Sequence, residues 1–172
     1  MSRSISVTAV SVHPGLTDPL LHDLVRPERR RWTPAELRDL TSTVVTELAV
    51  PLLGVVRYGH DRRWWARLAL TDGVELWLLS WRPGQGTGAH DHGGAAGSFA
   101  VLHGELTERY RYPAGPVRTA TRRTREVVAF GADRVHDVRN DGDLPAASVH
   151  AYSPPLLPTR RYPGLLDAAV AS

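Results

Sequence analysis

The chain has 172 residues, no cysteine and a formal net charge of only +3. That length suits a single domain able to bury a sizeable core, and the lack of cysteine excludes disulfides and Cys-ligated zinc. The basic residues are all arginine, but so small an excess does not mark a nucleic-acid surface.

The first residues, Met1 to Val7, lack a long apolar run, and no later stretch approaches membrane-spanning length. No membrane partner is therefore expected, and the cytoplasm is the expected location. Residues 13–50 read as mostly helical. Leu20, Leu21 and Leu24 recur at helical spacing after Asp18-Pro19. The run Thr33-Pro34-Ala35-Glu36 supplies an N-cap, a proline at the first helical position and a glutamate placed for a capping box. Leu37, Leu40, Val44, Val45 and Leu48 then form one apolar face, which Pro51 is expected to end. The basic run Arg26 to Arg31 reads as a solvated loop leading into this helix.

From Trp64 the period changes to two. Trp64–Leu70 and Val74–Trp81 read as strands joined by the turn Thr71-Asp72-Gly73. Short strands follow at Ser98–Leu102, Leu106–Tyr112, Val117–Ala120, Arg125–Phe130 and Ala146–Tyr152. The reading is one domain over 1–172, all-β with N-terminal helices: a sandwich or barrel spanning 64–152, and a proline-rich tail, 153–172, wrapping the surface.

Between these strands lies the segment with the most chemistry, Gly84 to Gly97, with His90-Asp91-His92 at its centre. Histidines at i and i+2 on a strand face the same way, their α-carbons roughly 7 Å apart. Two imidazoles so placed can converge on one metal ion while a third arrives from elsewhere, and His136 is the candidate third ligand. Three histidines by themselves suit zinc, nickel and copper as well as iron. His13, His22 and His60 have no convergent partners and read as surface residues, and His103 as structural. Ser148, His150 and Tyr152 also alternate, so a strand puts a hydroxyl, an imidazole and a phenol on one face, where they can form a hydrogen-bonded chain.

Gly84, His90-Asp91-His92 and the closing Gly104 resemble the first cupin motif, and His136 with Asn140 resembles the core of the second. The resemblance implies a double-stranded β-barrel, or jelly roll, with a metal inside it. The usual first motif carries a glutamate ligand seven residues before its closing glycine, and here that place is Gly97. A three-histidine set of this kind resembles the type I cysteine dioxygenase family. Trp81, Leu102-His103-Gly104-Glu105-Leu106 and the run Ser148-Val149-His150-Ala151-Tyr152 extend the resemblance over roughly residues 30 to 155.

This resemblance implies an Fe(II) cofactor held by His90, His92 and His136, with a small thiol and O2 as reaction partners. The implied product from L-cysteine is the sulfinic acid; 3-mercaptopropionate or another small thiol is the alternative substrate. Tyr152 would orient or protonate the substrate, supported by His150 and Ser148. Some family members cross-link this tyrosine to a cysteine at the Gly97 position, which a chain without cysteine cannot do. An arginine should hold the substrate carboxylate. Arg67, flanked by apolar residues, is the candidate, and a competing register puts His60 in that place. Another metal-dependent cupin enzyme, or a cupin that only binds a small molecule, are the competing classes.

Overall fold

The computed structural model describes residues 10–168. Its helices are α1 (Leu20–Leu24), α2 (Pro34–Glu47) and α3 (Ala49–Val55). The capping box on α2 forms as expected: Thr33 Oγ1 accepts from the Glu36 backbone N–H, and the Glu36 carboxylate accepts from the Thr33 N–H. Arg29, from the basic run, pairs with Glu36, and Arg30 pairs with Asp72.

Pro51 does not end the helical region. It sits in the first turn of α3, where its missing N–H would have had no intrahelical partner in any case. The break falls at Leu48, whose φ and ψ of −107° and 17° leave the helical range.

Among the described residues eleven strands follow the order β1 (Ser11–Val12), β2 (Trp65–Leu70), β3 (Glu75–Trp81), β4 (His90–Asp91), β5 (Ala96–His103) and β6 (Glu105–Arg111). The remainder are β7 (Arg118–Arg123), β8 (Val127–Phe130), β9 (Val135–Arg139), β10 (Ala146–Ser153) and β11 (Arg160–Arg161). They form two antiparallel sheets, β1-β2-β3-β10-β5-β8 and β11-β4-β9-β6-β7. This is the double-stranded β-barrel expected from the sequence. No described helix is long and apolar enough to cross a membrane.

Strand parity divides the core in two. In β10, Ala147, Val149 and Ala151 pack outward with Leu37, Leu40, Val44 and Val45 of α2. The alternate residues Ser148, His150 and Tyr152 face Leu79, Trp77 and Glu75 of β3 on one side. On the other side they face Val101, Phe99 and Gly97 of β5. Directly opposed residues share a face, so all nine turn into the barrel. The same alternation that buries the outer core under α2 aims the polar side chains at the interior.

The tail corrects the expectation of a simple surface wrap. Beyond β10 it returns over the barrel mouth, and β11 pairs with β4 in the register Arg160↔Asp91 and Arg161↔His90. The Pro158 carbonyl passes so close to Gly93 that a Cβ there would lie 2.3 Å from its oxygen. Gly93 also has φ +62°, so both the close approach and the backbone shape require glycine.

Candidate metal centre

His90 and His136 are direct cross-strand partners between β4 and β9. His92 stands just past the end of β4, yet its ring reaches the same point. The ring centroids lie 4.9 Å (His90–His92), 4.7 Å (His90–His136) and 5.0 Å (His92–His136) apart. One nitrogen from each ring lies within 4.8 Å of the others, and all three residues are buried.

The hydrogen bonds of these rings leave the right atoms free. His90 Nδ1 is 2.9 Å from the Gly88 carbonyl, to which it donates. His136 Nδ1 is 3.0 Å from Glu108 Oε1, and His92 has two buried ring nitrogens without a hydrogen-bond partner. Nε2 of His90 and of His136 is thereby left to ligate, and the orphaned nitrogens of His92 fit a metal ligand better than a packed core residue. Burial, reinforced by the neighbouring His136, holds His90 down to about pKa 3. The same causes, in the same order, push His92 still lower. Both rings are neutral at physiological pH, as ligation requires. The group can therefore hold a metal ion, and it contains three imidazoles with no carboxylate.

Gly97 accounts for the missing carboxylate. A Cβ built there would lie 2.5 Å and 2.6 Å from Phe130 Cε2 and Cζ, and 3.1 Å from Tyr152 Cδ1. Phe130, only 2% exposed, fills the space a side chain at 97 would need. Its ring centroid is 5.2 Å from those of both His92 and His136. An apolar ring thus closes the side of the site where the usual motif has its fourth ligand.

Glu108 of β6 is one residue of the site that the sequence reading missed. It is fully buried, bonded to His136 through Oε1, and paired with Arg134 (2.7 Å) and Arg122 (2.8 Å). Burial alone would raise its pKa, but the His136 hydrogen bond, His136 itself and the two arginines outweigh this and hold it at about 2. The signal was its phase: Glu108 sits two residues after Leu106, on the inward parity of a strand.

The expected chain behind the site is present. Trp81 Nε1 donates to Ser148 Oγ (2.8 Å); Ser148 Oγ lies 2.9 Å from His150 Nε2, and His150 Nδ1 lies 3.1 Å from the Tyr152 hydroxyl. Indole N–H is donor-only, and the buried Ser148 hydroxyl has His150 Nε2 as its one other hydrogen-bond partner among the described residues, so its proton goes there. Ser148 donates to His150 Nε2, His150 Nδ1–H donates to the Tyr152 oxygen, and the phenol proton is left free for the cavity. Burial keeps His150 neutral, and burial, with Glu75 nearby and partly opposed by Arg63, raises the Tyr152 phenol. The Tyr152 ring also stacks on His92, centroids 4.7 Å apart.

His90, His92, His136, His150 and Tyr152 line a cavity of about 410 Å³. Arg67 does not. It shares a face with its cross-strand partner Trp77 but is exposed at the rim, its guanidinium 5.6 Å from the Trp77 ring. His60 is also outside, bonded to Arg82. Two arginines line the cavity, Arg161 of the tail and Arg63, and Arg63 is stacked 4.4 Å from the Trp81 ring with Nε and Nη1 buried and unpartnered. Because Arg63 precedes β2, no strand periodicity marks it. His103 is bonded to the Tyr58 hydroxyl, away from the cavity. Leu156, Leu157, Thr159 and Arg161 from the tail complete the wall.

The fold and site together define a cupin barrel with a three-histidine group able to hold a metal. Solved structures agree on the fold. A Thermus thermophilus protein superposes with a TM-score of 0.53 at 22% identity over 60% of this chain and 93% of its own. A Klebsiella pneumoniae protein described as having a double-stranded β-helix domain gives 0.52 at 19%, over 63% and 91%. An oxalate oxidase in complex with glycolate gives 0.55 at 16%, over 63% of this chain and 59% of its own. The family model for cysteine dioxygenase type I matches residues 54–164, more than half of the chain and every site residue above. The chain belongs to that family.

Proposed function

We propose that this protein is an iron(II)-dependent thiol dioxygenase that converts L-cysteine, or a closely similar small thiol, and O2 into the sulfinic acid. The reaction balances without an external reductant, since RSH and O2 together have the composition of RSO2H. The observation that carries this reading is the all-imidazole group of His90, His92 and His136, closed by Phe130 at Gly97 where a carboxylate would otherwise stand. Iron(II), held by these three rings, would supply a centre that favours thiolate over thiol and activates O2.

The chain's own residues supply the rest. Arg63 presents a buried guanidinium with two unpartnered nitrogens, which suits the fork of a substrate carboxylate. Tyr152 keeps its proton at neutral pH, and with Gly97 opposite it the phenol is free to donate into the cavity. Trp81, Ser148 and His150 fix the direction of that donation. Leu156 and Leu157 add apolar surface to the cavity wall from the returning tail.

The test is oxygen uptake by the iron(II)-loaded protein with a panel of small thiols, alongside metal analysis. Uptake with L-cysteine that is lost, together with bound iron, in His136→Ala is the expected result. No uptake with any thiol, as a ligand-binding cupin would give, or undiminished uptake in His136→Ala, contradicts the proposal.

A further inference from the structure

The three imidazoles of the metal group are backed in three different ways. His90 Nδ1 donates to the Gly88 carbonyl, a neutral acceptor, and the ring nitrogens of His92 have no hydrogen-bond partner among the described residues. Only His136 has a charged partner in that set: its Nδ1 lies 3.0 Å from Glu108 Oε1. A carboxylate behind a ligating imidazole fixes its tautomer and makes it a stronger electron donor. Yet Glu108 is not free to act at full strength. Arg134 Nη2 reaches the same Oε1 at 2.7 Å, so it competes with His136 for one oxygen. Arg122 takes Oε2 through Nη2 (2.8 Å) and Nε (3.1 Å).

Arg134 is held firmly in this place. It is 4% exposed, its guanidinium lies 3.6 Å from the Tyr110 ring, and Nη1 donates to the Tyr112 hydroxyl at 3.3 Å. A second buried cation beside a carboxylate that already has Arg122 is costly to desolvate, and it also repels a positive ion bound by His136. That placement calls for a reason beyond packing. Resting on the iron(II) dioxygenase reading above, we infer that Glu108 and Arg134 are an opposed pair of positioning residues that sets the donor strength of His136. Glu108 raises that strength, and Arg134, drawing on the same oxygen, caps it. Negative charge behind a ligand favours iron(III) and positive charge favours iron(II), the state from which the proposed reaction starts. Glu108 therefore secures the metal, and Arg134 keeps the centre in its lower oxidation state.

The experiment compares the full chain as wild type, Glu108→Gln, Arg134→Met and Arg122→Met. It reads the affinity for zinc(II), a redox-inert probe, and the iron(III)/iron(II) midpoint potential of the iron-loaded protein. Glutamine keeps an oxygen for the His136 N–H but removes the charge, and methionine fills the aromatic surroundings of Arg134 without one. Glu108→Gln should bind zinc(II) about tenfold more weakly and show a higher potential. Arg134→Met should do the opposite, binding zinc(II) more tightly at a lower potential. Arg122, 22% exposed at its side chain, is partly screened by solvent, so Arg122→Met should follow Arg134→Met with smaller shifts. A network that merely holds the fold would loosen the site in all three variants. Weaker zinc(II) binding in the arginine variants, or unchanged affinity and potential in Glu108→Gln, overturns the inference. If Arg134→Met does not fold, the sign of the change in Arg122→Met decides. If no thiol is oxidised, the dioxygenase reading falls, and the zinc(II) affinities still decide the roles of Glu108 and Arg134.

Discussion

The two ends of the cavity are built differently. At the metal end strand pairing and buried hydrogen bonds hold most of the side chains, His90 opposite His136, His136 against Glu108, and His150 between Ser148 and Tyr152, while the His92 ring packs on Phe130 and Tyr152. At the mouth, Arg63 precedes β2, Glu75 opens β3, and Leu156 to Arg161 arrive on the returning tail. The metal end is rigid and general to the chemistry, whereas the mouth is assembled from loop and strand-end positions that can change without disturbing the barrel. Substitutions at the two ends should therefore fail in different ways: at the metal end through stability and metal content, at the mouth through substrate recognition.

The largest effect is expected at Glu108. Its removal as Glu108→Ala leaves Arg134, 5% exposed at its side chain, without a carboxylate and frees His136 Nδ1. Breaking a buried pair of this kind costs about 3–5 kcal/mol. Urea unfolding should show that loss, and metal analysis should show less bound iron. The same residue sets a pH dependence. Its folded pKa of about 2 lies below the ordinary 4.5, so ionised Glu108 stabilises the fold above the higher value, and that contribution fades as pH falls toward the lower one. Acid titrations followed by circular dichroism should show a flatter decline in Glu108→Gln over that window.

A smaller loss is expected beside the metal at Gly97→Cys, which drives a side chain into the Phe130 ring. Overpacking of a filled core costs about 1–3 kcal/mol. Adding Phe130→Leu should recover part of it, visible as non-additivity of the two changes in thermal melts. The smallest change in stability is expected at the mouth. Arg161 is exposed and bonds the Thr87 carbonyl at 2.8 Å. Arg161→Ala should leave the unfolding free energy within about 0.5 kcal/mol of wild type while raising KM for the thiol. Comparable destabilisation at Arg161 and Glu108 would erase the distinction between the two ends.

The same division explains what could be seen in the sequence. His90, His92 and His136, and the Ser148–His150–Tyr152 chain, were legible because ligand spacing and strand parity are local properties. Glu108 carried a readable signal in its phase with Leu106. Arg67 misled because apolar neighbours suggested burial, yet it is exposed on β2 with its guanidinium over the Trp77 ring and does not line the cavity. Arg63, Glu75 and the tail became site residues only through tertiary contacts: a stack on Trp81, a register with Tyr152, and the β11–β4 pairing. Pro51 misled for a different reason, since a proline that stops one helix is equally at home in the first turn of the next.

The central claim is that an all-imidazole site directs both atoms of O2 onto a substrate sulfur. It is tested most directly by mass spectrometry of the product formed by the iron(II)-loaded protein from L-cysteine under 18O2. The account predicts cysteine sulfinic acid carrying two labelled oxygens from one O2 molecule. A product with one labelled oxygen or none, or cystine alone, would contradict it.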